Sequence, residues 1–171
     1  MKEFPKRKNL RLQNYDYSTE GCYFITICTE HRKNLLSTIV GGDDLGAPKQ
    51  IILKPYGKIT EKYILSIEKA YKSVKVENYI IMPNHIHLLL LIDTHGLPRS
   101  SAPTIPNVVT ALKRYINHEC KYNIWQRGYM DHIIRNQTDF ERHWNYIEYN
   151  ALKEYPLKEE MNLKNSIHGA K

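Results

Sequence analysis

Hydrophobic and polar positions along the chain follow two rhythms, and they sort it into strands and helices. Residues 21–29, Gly-Cys-Tyr-Phe-Ile-Thr-Ile-Cys-Thr, are dense in aromatic and β-branched side chains and read as a strand. Val74–Ile81 reads as a second strand. Pro83-Asn84 then breaks the run, because proline lacks the amide hydrogen that a central ladder needs. A third strand follows from His85 to Ile92, so that two adjacent antiparallel strands flank the break. Helical spacing appears at 57–72, where Ile59, Tyr63, Ile67 and Ala70 share a stripe, and from Pro106 to Cys120, with Val108, Leu112, Tyr115 and Ile116.

The intervening stretches are less regular. Gly41-Gly42-Asp43-Asp44 signals a turn, and Ile51–Leu53 a short strand, which together suggest a hairpin or flap. The proline- and serine-containing stretch 93–106 reads as a loop. Trp125 to Arg135 reads as a turn leading into a short strand. A last helix is expected from Thr138 to about Leu152, with Thr138-Asp139-Phe140-Glu141 as a capping box. The order of strands and helices places the chain in the α+β class as one domain over 1–171. A polar arm covers about 1–19 and a polar tail about 157–171.

Placing the last helix at about 100° per residue separates its side chains. Phe140, Trp144, Ile147 and Ala151 form the stripe that should be buried. His143, Tyr146 and Asn150 form a second stripe at its edge, and Tyr149 faces the opposite way.

Charge and cysteine content narrow the function classes. Twenty-five lysines and arginines against 18 acids give a formal charge of +7, which favours polyanionic partners through phosphate neutralisation. Within 1–11 stand Lys2, Lys6, Arg7, Lys8 and Arg11 against Glu3, either a solvated tail or an arm for a nucleic-acid backbone. Lys113 and Arg114 on the second helix, and Arg127 and Arg135 around the short strand, are further candidates for DNA contact. Three cysteines without CxxC spacing argue against a disulfide framework and a zinc knuckle, and fit a reducing cytosol. The polar N-terminus shows no signal peptide, and the apolar run 86–92 is too short to span a bilayer.

The candidate chemistry centres on His85 and His87. Two apart on a strand, they project to one face while Ile86, Leu88 and Leu90 take the other. Such a pair either clamps a divalent metal or is a hydrogen-bonded pair within a sheet. Asp131, His132 and Arg135 could form a buried polar network or line a site, and His143 on the last helix is a further candidate to line it. A tyrosine hydroxyl with pKa near 10 is a weak nucleophile and needs an activated electrophile. A metal beside Tyr146 would provide that at phosphorus, and the Asn150 carbonyl could complete the metal's shell.

These residues stand in a pattern that resembles the REP-associated tyrosine transposases of the HUH superfamily of single-tyrosine transposases. The matching segments run from Arg11-Leu12 through Tyr15-Asp16-Tyr17 and Tyr23-Phe24-Ile25-Thr26-Ile27-Cys28-Thr29 to Met82-Pro83-Asn84-His85-Ile86-His87-Leu88. They continue through Trp125-Gln126, Asp131-His132 and Arg135 to Tyr146-Ile147 and Asn150. The resemblance implies a ferredoxin-like β-α-β-β-α-β core with the tyrosine on an added C-terminal helix. It implies that His85 and His87 hold Mg2+ or Mn2+, with Asn150 at the position of a third ligand. It implies that Tyr146 attacks single-stranded DNA carrying hairpins, leaving a 5′-phosphotyrosine link and a free 3′-hydroxyl. Magnesium favours oxygen ligands, so two imidazoles make manganese at least as suitable. Relatives commonly carry Asn-Pro at the end of the tyrosine helix, whereas here Ala151 follows Asn150. They work as monomers or homodimers. Two other readings use the same residues: a non-catalytic, domesticated DNA-binding protein of this fold, and a metal-dependent nucleotide hydrolase. The second is weakened by Leu89 where a third histidine would stand.

Overall fold

In the computed structural model, residues 15–41, 49–95 and 103–150 are described. The chain runs β1 (Gly21–Cys28), β2 (Ser37–Val40), β3 (Gln50–Leu53), α1 (Pro55–Leu65), α2 (Ile67–Ala70), β4 (Val74–Met82), β5 (His85–Ile92), α3 (Ile105–Cys120), β6 (Met130–Ile134) and α4 (Gln137–Asn150). The central sheet has the order β4-β5-β1-β6, and all three neighbouring pairs are antiparallel. The flap expected around 51–53 is the β2–β3 hairpin. The turn residues 42–44 lie outside the described residues, as do the basic positions Lys6, Arg7, Lys8 and Arg11 and the tail. Among the described residues, no helix is long and apolar enough to cross a membrane.

Alternation along the strands gives the sheet two different faces. On one, Tyr23, Ile25 and Ile27 of β1 and Ile86, Leu88 and Leu90 of β5 pack with Ile64 of α1, Ile67 of α2, and Val108, Leu112 and Ile116 of α3. Burying an aliphatic side chain of this size contributes about 1.5–3 kcal/mol. The other face carries a smaller core of Phe24, Leu89 and Ile147, with Phe140, Trp144 and Tyr146 of α4 against it. A one-residue slip of β5 would exchange its faces, burying both histidines among helices and turning three core residues out. The apolar run therefore fixes where the imidazoles point.

Several elements differ in detail from the sequence reading. The first helical stretch breaks at Ser66, and its buried line is Gly57, Thr60, Ile64 and Ile67, with Ala70 exposed. This rotates the stripe by about one residue. A β-carbon at Gly57 would run into the Leu36 carbonyl, so glycine is what lets α1 approach that loop. Thr60 is tolerated in the core because its hydroxyl donates to the Tyr56 carbonyl at 2.7 Å. Tyr115 is half exposed, and Val109 takes its expected place in the α3 core. Within the stretch read as the N-terminal arm, Tyr17 is buried with the main core. Its hydroxyl donates to Asp131.

The start of α4 also differs. The capping side chain is Asn136, whose Oδ1 accepts from the Asp139 amide at 2.9 Å, while its carbonyl accepts from Phe140. Thr138 is inside the first turn. Glu141, assigned to the capping box, instead pairs with Gln137 at 2.9 Å.

Candidate active site

The Pro83-Asn84 turn joins β4 to β5, and His85 is the first residue after it. His85 pairs with Cys28 of β1 and Met82 of β4, and His87 with Thr26 and Ile80. Both imidazoles are buried on the α4 face, with ring centroids 4.7 Å apart. Each ring is held through Nδ1. His85 Nδ1–H donates to Asn84 Oδ1 at 2.7 Å, and His87 Nδ1 is bonded to Thr26 Oγ1 at 2.9 Å. Both Nε2 atoms are buried without a hydrogen-bond partner.

Buried polar atoms are nearly always satisfied, so two orphaned nitrogens on adjacent rings require an explanation. For His85, donation from Nδ1 leaves the lone pair on Nε2, the tautomer a metal ligand needs, and the Thr26 hydroxyl can accept from His87 in the same way. Burial, aided by the Arg32 charge, pulls the His85 pKa down to about 4. Burial also holds His87 well below its ordinary value, with smaller contributions from His85 and His143. Both rings are therefore neutral at physiological pH. The donor set fits a divalent transition ion.

These shifts give a testable stability profile. Below about pH 6.5 the unfolded chain takes up a proton at His85 that the folded chain refuses until about pH 4. Metal-free protein should therefore lose stability as pH falls through this window, by about 3 kcal/mol from His85 alone. His87 acts in the same direction. Denaturant midpoints at neutral and mildly acidic pH, in chelator, measure this. A flat profile would contradict the burial of neutral imidazoles.

α4 brings the tyrosine to this pair. The Tyr146 ring stands edge-on to His87, with centroids 5.1 Å apart, and edge-on to Phe24 at 5.8 Å. Phe24 stacks on His87 at 5.0 Å and touches His143 at 4.7 Å, so this one ring locates three others. Tyr149 is 53% exposed, as the helical spacing required. Asn150 closes α4 one turn beyond Tyr146, and its side chain lies outside the described part of the structure. The histidine strand and the tyrosine helix thus meet within a single chain.

A second polar group adjoins the first. His132, registered with Phe24 across β6 and β1, donates from Nε2 to Asp139 Oδ2 at 2.9 Å. Asp139 also accepts from the Arg135 amide, and His143 Nδ1 donates to the Asp139 carbonyl at 2.8 Å. The two imidazoles stack at 4.6 Å. Burial opposes ionisation of Asp139, but the His132 and Arg135 hydrogen bonds outweigh it and lower its pKa. His132, Asp139 and His143 have ligand atoms close enough to hold a divalent metal, as do the exposed Glu20, Asp93 and His95.

The remaining sequence candidates separate. Asp131 does not join His132: adjacent strand residues face opposite ways, and Asp131 bonds to Tyr17 at 2.8 Å on the α1–α3 side. The Lys113 ammonium donates to the carbonyls of Gln126 and Gly128 at 2.6 and 2.7 Å, which ties it to the segment before β6. Burial lowers its pKa. Arg114 lies over Tyr115 beside the α1–α3 groove, on the far side of the sheet. Arg127 and Arg135 are exposed near the ends of the 126–134 segment. The roles of Thr26, Phe24 and Asp139 were missed in the sequence. Only the register of β1 against β5 and β6 reveals them, although the same-face alternation of Phe24 and Thr26 was a usable signal.

Paired imidazoles on a central strand thus face a tyrosine on a late helix. Comparison with known proteins gives the following similarities. No family model matches the chain. An uncharacterized protein of Haemophilus influenzae is 28% identical over 166 residues, covering 85% of this chain and 88% of its own. A second protein of that organism, named for the REP-associated tyrosine transposases, is 28% identical over 162 residues, covering 83% and 77%. A solved structure of a REP-associated tyrosine transposase bound to a REP hairpin shares the fold. Its TM-score is 0.60 at 20% identity, over 86% of this chain and 77% of that one. Sequence and structural similarity point to the REP-associated tyrosine transposases of the HUH superfamily.

Proposed function

We propose that the chain is a metal-dependent nuclease and strand transferase acting on single-stranded DNA that carries hairpins. The observation that carries this reading is the meeting of Tyr146 with His87 in one chain, beside two buried imidazole nitrogens that lack partners. The sheet order β4-β5-β1-β6 supports reading the core as ferredoxin-like, with α4 added on the face the other helices leave open. The relatives' name and the hairpin bound in the solved structure support the DNA substrate.

His85 and His87 would hold the divalent ion, Mg2+ or Mn2+, with Asn150 as a third ligand. When bound, the ion supplies a Lewis acid that draws charge from a phosphate oxygen. Tyr146 supplies the nucleophile. Its phenolic oxygen forms a bond to phosphorus, the phosphorus–O3′ bond breaks, the phenol loses its proton, and the 3′ oxygen gains one. The product is a 5′-phosphotyrosine, and attack by another 3′-hydroxyl reverses the step and joins strands. Phe24 packs against Tyr146 and His87 alike, which limits how far nucleophile and metal ligand can drift apart.

The test is covalent capture. Labelled hairpin DNA incubated with the chain and manganese should yield a denaturant-stable protein–DNA band that chelator removes. Tight binding with no band in either condition would instead favour the non-catalytic reading.

A further inference from the structure

Three buried side-chain nitrogens without a hydrogen-bond partner belong to residues at one end of the sheet. Two are the Nε2 atoms of His85 and His87, and the third is Nη1 of Arg32. Arg32 comes from the turn that leaves β1. Thr29 ties this turn to the residue before His85: its amide and its hydroxyl both donate to the Asn84 carbonyl, at 2.9 and 3.0 Å. The Arg32 amide returns to the Thr29 carbonyl at 3.0 Å. His31 and Arg32 both have left-handed backbone, with φ of 53° and 52°. Side chains other than glycine adopt that conformation at a cost. The nearby carboxylate of Glu30 stands toward His31, at 3.5 Å.

A guanidinium stays charged at any physiological pH. Burying part of it without a counter-anion is costly, and neither an imidazole nor a metal cation relieves that cost. What this end of the sheet lacks is therefore an anion. The planar fork of arginine matches the oxygens of a phosphate better than any other side chain does. The Arg32 charge already reaches His85, where it helps to keep the ring neutral.

We infer that Arg32 binds a non-bridging oxygen of the phosphodiester that lies against His85 and His87. The identity of that anion as a DNA phosphodiester rests on the nuclease reading, whereas the anion site itself rests on the geometry alone. Arg32 then holds the phosphate while Tyr146 approaches it.

The full chain carrying Tyr146→Phe, which cannot turn over, allows binding to be followed alone. In chelator, both inorganic phosphate and a short oligothymidylate should shift the guanidinium N–H resonance of Arg32. Arg32→Gln should weaken oligothymidylate binding about tenfold, the value of one charge-assisted hydrogen bond. Lys69→Gln on α2 should change it by less than about twofold, as a distant exposed charge. Arg32→Lys should fall between wild type and Arg32→Gln. The thermal midpoint of Arg32→Gln should hold or rise, because an uncompensated charge is removed. A lowered midpoint with unchanged affinity would mark a structural arginine and overturn the assignment. So would a resonance that neither probe moves. A resonance moved by phosphate but not by oligothymidylate would overturn the phosphodiester. Covalent capture is scored separately. Oligothymidylate bound at Arg32 in a wild-type chain that never forms an adduct keeps this inference and removes the transferase reading. Adduct formation at an unchanged rate in Arg32→Gln does the opposite.

Discussion

Replacing Tyr146 with phenylalanine should lower covalent capture of DNA by at least about 10³-fold while leaving DNA affinity within about twofold. The expectation is large because the hydroxyl is the proposed bond-forming atom, and no weaker route to the same product remains. It is selective because the ring survives. Phenylalanine keeps the edge-on contacts to His87 and Phe24 that seat this part of α4. The matched control is Tyr149→Phe, one turn's edge away and largely exposed, which should capture DNA as wild type does. Circular dichroism and thermal unfolding of both variants check that the comparison is between folded proteins.

The second large effect concerns the imidazoles. His87→Ala removes one of the two proposed ligand nitrogens from a fully buried position. Loss of a group that merely orients a ligand weakens metal binding by about 10–100-fold, so loss of the ligand itself should exceed about 100-fold. Calorimetric titration with Mn2+ measures this directly, and cleavage should fall in parallel. His95, exposed on the far loop with Asp93 and Glu20, offers a useful contrast. If His95→Ala weakens Mn2+ binding and His87→Ala does not, the metal belongs elsewhere. Chelator should abolish capture by the wild-type chain and leave DNA binding largely intact.

The parts of this account that were legible in the sequence are those governed by local periodicity. Strand alternation put His85 and His87 on one face, and the 100° helical step placed Tyr146 at the edge of the buried stripe and Tyr149 outside it. Both hold because β5 and α4 are anchored by strong apolar patterns, Ile86-Leu88-Leu90 and Phe140-Trp144-Ile147. What stayed hidden depends on which strand lies beside which. Thr26 supports His87 only through the register of β1 against β5. Asp131 and His132 part company because β6 has a face on each side of the sheet. Lys113 looked like a surface cation until the 126–128 turn was folded onto it. The cap of α4 moved from Thr138 to Asn136 because two capping residues compete within three positions, and Asp139 is drawn off by His132.

The claim on which the rest depends is that Tyr146 becomes joined to DNA in the presence of a divalent metal. Wild-type chain incubated with hairpin DNA and manganese, then digested with protease and nuclease, can be mapped by tandem mass spectrometry. The account predicts a nucleotide remnant attached through phosphate to Tyr146, absent in chelator. A remnant on Tyr149 or on any other residue, or none at all from DNA that has been cut, would contradict it.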